Sequence, residues 1–327
     1  NNLHNDDLSD TMEDPTILAD NLPYGDSYTD SPHKDLFRVM SQNCAGIFPD
    51  NDLQFAPRDI LNSFAHKNAA VVSLQEPNCD FKQRRCVQAL ENHIRHKTTF
   101  RHWAYSSSTS NPSERSTYLP GGTATIVRNQ WATRFNESGG DTELGRWSYV
   151  ALNMDDNETL LYVITAYRVC TQSTDPTSNT ASMQQRRILI SQGNGTEPRI
   201  QCLLDLTAFV TSIHAAGHKA VISMDANENL DDEGSQLRQF ATACDLVCVH
   251  EARSHFDTPK TYIRGTKQID YCFCTKDIKT SIRGSGFLPF NLGHESDHRV
   301  LWVDFHGPSL FGQKTAPVIP PPKRNLN

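Results

Sequence analysis

No run of about 18 apolar residues occurs anywhere in the chain, so no membrane-spanning helix is expected. Residues 1–28 have neither the basic start nor the apolar stretch of a secretory signal, and none is expected there. The chain does not open on Met, which reads as an excised segment or a processed product. No internal repeat is present, which excludes a solenoid or a propeller. Residues 1–33 also lack any Lys or Arg, although they carry Asp6, Asp7, Asp10, Glu13, Asp14, Asp20, Asp26 and Asp30. A disulfide framework is missing as well. The nine cysteines are odd in number and scattered through apolar text, which reads as reduced and intracellular. Cys244-x3-Cys248 and Cys272-x-Cys274 are spaced poorly for a zinc knuckle.

What is present divides into three parts. Residues 1–34 read as an acidic, disordered leader. Residues 35–306 read as one domain, since 327 residues at 37% hydrophobic content support a sizeable core. Residues 307–327 read as a Pro-rich basic linker with Pro308, Pro317, Pro320, Pro321, Pro322, Lys314, Lys323 and Arg324. The net charge of −7 is mostly the −8 of residues 1–33; with +3 in residues 307–327, −2 remains for the middle, so a polyanionic partner is not excluded.

Strand-like text covers Leu36–Gln42, Ala70–Gln75, Thr123–Arg128, Ser148–Met154, Leu160–Tyr167, Ala220–Met224, Leu246–His250, Ile269–Cys274 and Val300–Phe305. Helix-like text covers Pro57–Lys67, Phe81–His96, Ala181–Ile190, Ile200–Ala216 and Ser235–Ala243. Many strands with interspersed helices and no strict alternation predict a mixed α/β layered fold.

Six polar clusters stand at the ends of these strands. They are Ser41–Gly46, Gln75-Glu76-Pro77-Asn78, Tyr167-Arg168, Asp225-Ala226-Asn227-Glu228, Gln268-Ile269-Asp270-Tyr271 and Ser296-Asp297-His298. Singly, each has a bland reading: a solvated carboxylate, an Asx turn, or a Lys267–Asp270 pair. Together they mark the strand-end rim where layered α/β proteins carry function. Their chemistry is coherent. Glu76, Asp297 and Asn43 offer the oxygens that a hard cation such as Mg²⁺ takes, and Mn²⁺ would be accepted by the same set. Asp225 is suited to orient or deprotonate a water. Asn227, Tyr167 and His298 are suited to hold a phosphate, and Asp270 to partner an imidazolium at His298.

The ordered series Gln42-Asn43…Gly46, Leu74-Gln75-Glu76, Tyr167, Asp225-x-Asn227, Ile269-Asp270-Tyr271 and Ser296-Asp297-His298 resembles the endonuclease/exonuclease/phosphatase superfamily over residues 36–305. The resemblance implies a four-layer α/β sandwich, with two mixed β-sheets face to face and helices outside. It also implies an Mg²⁺-dependent phosphoester hydrolase with Glu76 as the principal metal ligand and Asn43 and Asp297 at or beside the metal. Asp225, Asn227, His298, Asp270, Tyr167 and Asn43 would form the catalytic set.

Departures narrow the branch. Ala45 and Lys267 stand where abasic-site enzymes of the family have Asp and an aromatic residue, and Val169-Cys170 replaces their Pro-Asn. Thr261-Tyr262-Ile263-Arg264-Gly265 and Gly121-Gly122-Thr123-Ala124 look like segments of retrotransposon endonucleases. The resemblance thus implies a DNA-nicking enzyme that leaves 3′-hydroxyl and 5′-phosphate ends, with duplex DNA as partner and a reverse-transcriptase region downstream. It would be nuclear if it acts on chromosomal DNA. Arg264, Thr261, Lys267 and Arg168 are the candidate substrate contacts. A phosphatase acting on inositol or lipid phosphoesters, and a non-catalytic nucleic-acid-binding module, are the alternatives.

Overall fold

Four strands run from apolar to polar along one face, and that gradient places the site. Residues alternate faces along a strand, so positions two apart share a face. Val39, Ser41 and Asn43 form one such row; Val71, Ser73 and Gln75, Val163, Thr165 and Tyr167, and Val221, Ser223 and Asp225 form the others. Each row begins in the apolar layer and ends on a polar group at the strand's C-terminal end.

The chain forms a computed structural model that describes residues 20–48, 60–97, 100–106, 119–156, 158–170, 175, 177–253, 258–290, 292 and 295–312. Among these the strands are β1 (Tyr24–Gly25), β2 (Leu36–Asn43), β3 (Val71–Gln75), β4 (Phe100–Ser106), β5 (Thr123–Arg128), β6 (Phe135–Gly140) and β7 (Trp147–Asn153), then β8 (Leu160–Tyr167), β9 (Lys219–Asp225), β10 (Leu246–Cys248), β11 (Asp270–Thr275), β12 (Ile282–Phe287) and β13 (Leu301–His306). The helices are α1 (Ile60–His66), α2 (Arg84–Lys97), α3 (Ala181–Ser191), α4 (Pro198–Ala215), α5 (Gln236–Ala243), α6 (Val249–Arg253) and α7 (Gly307–Phe311).

Two mixed sheets result. One has the order β1-β12-β13-β2-β3-β5-β4 and the other β10-β11-β9-β8-β7-β6. The pairs β2–β3 and β8–β9 are parallel and the other pairs antiparallel. Phe37, Val39, Val71, Val163, Val221, Val303 and Phe305 fill the space between the sheets. Met40, Val72 and Leu74 pack outward against Phe64 of α1 and Leu90 and Ile94 of α2. Ile164, Ile222 and Phe273 pack outward against Leu206 and Val210 of α4 and Phe240 of α5. This is the expected four-layer sandwich. The outer helices start where their caps direct: Glu197 with Pro198 at the first turn of α4, and Ser235 accepting from the Arg238 N–H before α5.

Three expectations change. Residues 20–34 do not belong to a disordered leader, because Tyr24–Gly25 pairs with Gly286–Phe287 and the flanking backbone is bonded to the domain. Residues 1–19 lie outside the described residues. Gly307–Phe311 is a helix packed into the core through Leu310 and Phe311, so the Pro-rich tail cannot begin at 307; residues 313–327 lie outside the described residues. Val249 and His250 turn into α6 rather than extending β10. The sequence reading also misses β1, β4, β6 and β12. Two of these, Phe-Asn-Glu-Ser-Gly-Gly and Ile-Arg-Gly-Ser-Gly-Phe, hold too many glycines and polar residues to show strand periodicity. No helix among the described residues is long and apolar enough to cross a membrane.

Candidate active site

The site lies where the polar ends of the strands from both sheets meet. The Asn43 Nδ2 donates to Asp225 Oδ2 at 2.8 Å, joining the end of β2 in one sheet to the end of β9 in the other. Tyr167 and Asp270 are the register neighbours of Asp225 on either side. The Tyr167 hydroxyl donates to Glu76 Oε1, again from one sheet to the other. Asp270 Oδ2 lies 2.9 Å from Nδ1 of His298, which stands just before β13. The Asp225 Oδ1 accepts the Asn227 backbone N–H at 3.1 Å.

Local backbone supports this geometry. Glu76 and Asn227 adopt left-handed conformations at φ 49° and 50°. Such conformations in non-glycine residues are held against strain by their surroundings. The Glu76 turn is held by its N–H on Gly122 O (3.1 Å) and by the Asn78 Oδ1 accepting from Gly121 N (2.8 Å). Gly121 is itself left-handed at φ +88°, and a Cβ there would stand 3.0 Å from that of Ala181 and 3.5 Å from the Tyr167 ring. The Gly-Gly pair of the sequence therefore shapes the seat of Glu76. Ser296 closes the other side: its hydroxyl donates to Asn43 O (2.5 Å) and accepts from His298 N (3.1 Å).

Electrostatics follow from the burial of these groups. Burial, followed by the charge of Asp270, pushes the Asp225 carboxyl up to about 7. Burial alone would lower His298. The adjacent Asp270 charge and hydrogen bond, with Asp225 and Asp297, override it and lift the imidazole to about 10. Tyr167 is held well above the ordinary phenol range by burial and by the charges of Glu76 and Asp225.

The donor set fits a hard divalent cation. Ligand atoms of Asp225, Asp270 and His298 lie within 4.8 Å of one another, but a protonated His298 on Asp270 is not itself a ligand, so the carboxylates are the donors; burial opposes the charge on Asp225. A cation would relieve that opposition, and carboxylate oxygens with few protein ligands suit Mg²⁺ or Mn²⁺. Glu76 and Asp297, both only partly buried, offer further oxygens. Asn43 is better described as a positioning group than as a ligand. Its Oδ1 accepts from Ala45 N (3.1 Å) and its Nδ2 is given to Asp225, so both ends of its amide are engaged.

The candidate substrate contacts separate. Arg168 is buried, with its guanidinium on Glu228, Gln236 Oε1 (2.6 Å) and Arg199 O (3.1 Å). It anchors the Asp225–Glu228 loop from behind and does not face a substrate. Thr261 is also buried; its Oγ1 accepts from the N–H groups of Ile269 (2.9 Å) and Asp270 (3.2 Å), so it positions Asp270. Lys267 is exposed and pairs with Asp232, not with Asp270. Arg264 is exposed at the tip of a turn closed by Gly265 N on Tyr262 O (2.9 Å), its side chain without a hydrogen bond or ion pair among the described residues. Asn227 is at the site with its amide Nδ2 on Arg168 O (2.8 Å).

Tyr262 escaped the sequence reading as a site residue. Its ring lies 5.1 Å from that of His298, inclined by 39°, and its backbone bridges to His298. An aromatic face against an imidazolium favours the charged form. The Thr-Tyr pair eight and nine residues before Asp270 was the available signal.

The buried Arg168–Glu228 pair gives a stability test. Arg168→Met is expected to destabilise the protein by about 3–5 kcal/mol, because Glu228 is left beside an apolar group. Urea unfolding measures this. A loss below about 1 kcal/mol together with weakened DNA affinity would return Arg168 to the substrate.

No protein-family model and no curated protein sequence matches the chain. Solved structures do. The AP endonuclease LMAP from Leishmania major has a TM-score of 0.60 at 14% identity, covering 90% of this chain and 95% of its own. The Xenopus laevis APE2 catalytic domain has a TM-score of 0.55 at 16% identity, covering 83% and 92%. The human Nocturnin catalytic domain with bound sulfate anion has a TM-score of 0.53 at 16% identity, covering 83% and 93%. The chain has the endonuclease/exonuclease/phosphatase fold.

Proposed function

We propose that the chain is a metal-dependent phosphodiester hydrolase that nicks duplex DNA and leaves 3′-hydroxyl and 5′-phosphate ends. The observation that carries this reading is the joined network of Asn43–Asp225, Asp270–His298 and Tyr167–Glu76 at one rim. Asp225, with a carboxyl poised near neutrality, takes the proton of an attacking water. Asn43 fixes which carboxylate oxygen faces inward. His298 stays protonated through neutral pH on Asp270 and sets a positive charge where negative charge develops on the phosphate. Asn227 supplies a further donor from its amide, and Tyr167, whose hydroxyl is given to Glu76, holds that carboxylate in place. Glu76 and Asp297 would hold the cation with the Asp225–Asp270–His298 cluster beside them, and its chemistry is Lewis-acid stabilisation of phosphate oxygens.

DNA is favoured as substrate by the names of two fold relatives, an AP endonuclease and APE2. The retrotransposon assignment rests on Thr261–Gly265 and Gly121–Ala124, and in that setting the 3′-hydroxyl would prime a downstream reverse transcriptase on nuclear DNA. Supercoiled plasmid incubated with the protein is expected to convert to open circle with Mg²⁺ and to stay supercoiled with EDTA. Nicking that ignores EDTA, or no nicking with Mg²⁺ or Mn²⁺, overturns the reading.

A further inference from the structure

Residues 20–26 cross the edge of the first sheet far from any catalytic side chain in sequence, yet their bonds converge on two segments that carry the site. Arg299, next to His298, is fully buried. Its Nη1 donates to Leu22 O (2.9 Å) and Leu288 O (3.1 Å), its Nη2 to Asp20 O (3.3 Å) and its Nε to Lys260 O (3.0 Å). The same guanidinium lies over the rings of Tyr24 (5.1 Å) and Phe290 (4.3 Å). Lys260, next to Thr261, pairs with Asp20 at 2.9 Å. The Arg299 N–H in turn donates to Thr261 O at 2.9 Å.

The seat of this strap is closely shaped. Gly25 has φ +97°, and a Cβ there would stand 2.4 Å from Ser285 O. A Cβ on Gly286 would stand 2.2 Å from Tyr24 O. The Asp26 carboxylate then locks the far end, accepting from Ser285 N (2.9 Å) and from Arg253 Nε and Nη2 (3.1 and 3.0 Å).

We propose that Asp20–Asp26 is a positioning strap for the Asp270–His298 pair, acting through Arg299 and Lys260. This rests on the hydrolase reading above for its kinetic consequence only. With the strap seated, two of its carbonyls and one of its rings help to satisfy the buried Arg299 charge. With the strap displaced, that charge loses those partners and must move or be hydrated, because an unsatisfied buried charge is unfavourable. The backbone that moves with it carries His298. The Arg299–Thr261 backbone bond transmits the same shift to the residue whose hydroxyl holds the Asp270 N–H.

The test uses the full chain with Gly25→Val, which unseats the strap without removing a side chain that bonds to the site. Gly193→Ala is the control. It likewise puts a Cβ on a left-handed residue, at φ +76°, but with nothing within 4 Å, at the end of α3. Amide exchange at Asp26 and Ser285 reports release of the strap. The low-field proton of His298 Nδ1–H, identified by its disappearance in His298→Gln, reports the bond to Asp270. Gly25→Val is expected to speed exchange, broaden or abolish that signal, and lower kcat for plasmid nicking about 10-fold or more with KM within about two-fold. Gly193→Ala is expected to leave the signal in place. Asp26→Asn, a milder release, is measured alongside and is expected to move the same way by less. Faster exchange at Asp26 and Ser285 in either strap variant, with the His298 signal unchanged, overturns the proposal. The proton signal needs no turnover. A wild-type chain that nicks nothing would therefore sink the proposed reaction while the strap is still decided by that signal.

Discussion

Asp225→Asn is expected to lower nicking by about 10²-fold or more, the scale of a removed general base. The loss should fall on kcat, since Asp225 is buried at the joined strand ends and offers little surface to the bulk of a DNA partner. The same change is expected to leave stability intact or raise it at pH 8. The sign follows from the direction of the shift. The folded-state carboxyl titrates near 7, above its value of 3.8 in an unfolded chain, so the stability it contributes is present below 3.8 and lost as pH rises through 7. A neutral amide keeps an oxygen for Asn43 and removes the buried charge, which offsets the lost acceptor for the Asn227 N–H. Plasmid nicking and thermal melting at pH 8 measure the two halves. Near-wild-type nicking would remove Asp225 from catalysis, and a large drop in melting temperature would show the carboxylate to be structural.

His298→Ala is expected to lose about 10²–10³-fold in kcat, the range for a lost charge-stabilising donor. Its pH behaviour separates charge from shape. The imidazole titrates near 10 in the folded protein against 6.5 unfolded. Its stabilisation is therefore complete below 6.5 and lost as pH rises through 10. The wild-type rate is expected to rise through about pH 7 with Asp225 and to fall towards pH 10 with His298. Asp270→Asn removes the main anionic partner of His298, so the alkaline fall should move to lower pH; the acidic limb should also move to lower pH, because the Asp270 charge helps to raise Asp225. A pH–rate profile in which Asp270→Asn leaves the alkaline limb unmoved would contradict the role given to the pair.

How much of this could be read beforehand depends on where each residue gets its role. Asp225, Asp270 and His298 were legible because they end apolar strands at a rim, and strand ends follow from local periodicity. The four rows that run from valine through serine or threonine to a polar end carry the same information more directly, through the two-residue alternation itself. Arg168 and Thr261 were misplaced for a shared reason. Their neighbours in sequence are functional, but their own side chains point into partners far along the chain, Glu228 and the Asp270 N–H. Asn43, read both as a catalytic and as a metal-side amide, spans Ala45 N and Asp225, and an amide ligand and an amide strut look alike until both ends are traced. Residues 20–26 were unreadable for another reason: a two-residue strand has no period, and acidic text looks solvated until Arg299 and Lys260 come into view.

The order in which the strands are used carries a consequence for biosynthesis. The chain builds most of one sheet, then the whole of the second, and returns to the first with β12 and β13, laying Leu301 beside Ser41. Asn43 and Glu76 leave the ribosome early, yet the imidazole they require precedes the final strand. Under the proposed reaction, chains that stop before His298 lack the imidazole and are expected to show no nicking activity. Recovery of nicking during refolding should accordingly lag the recovery of helical signal, since the site needs β13 paired with β2, which joins residues far apart in the chain.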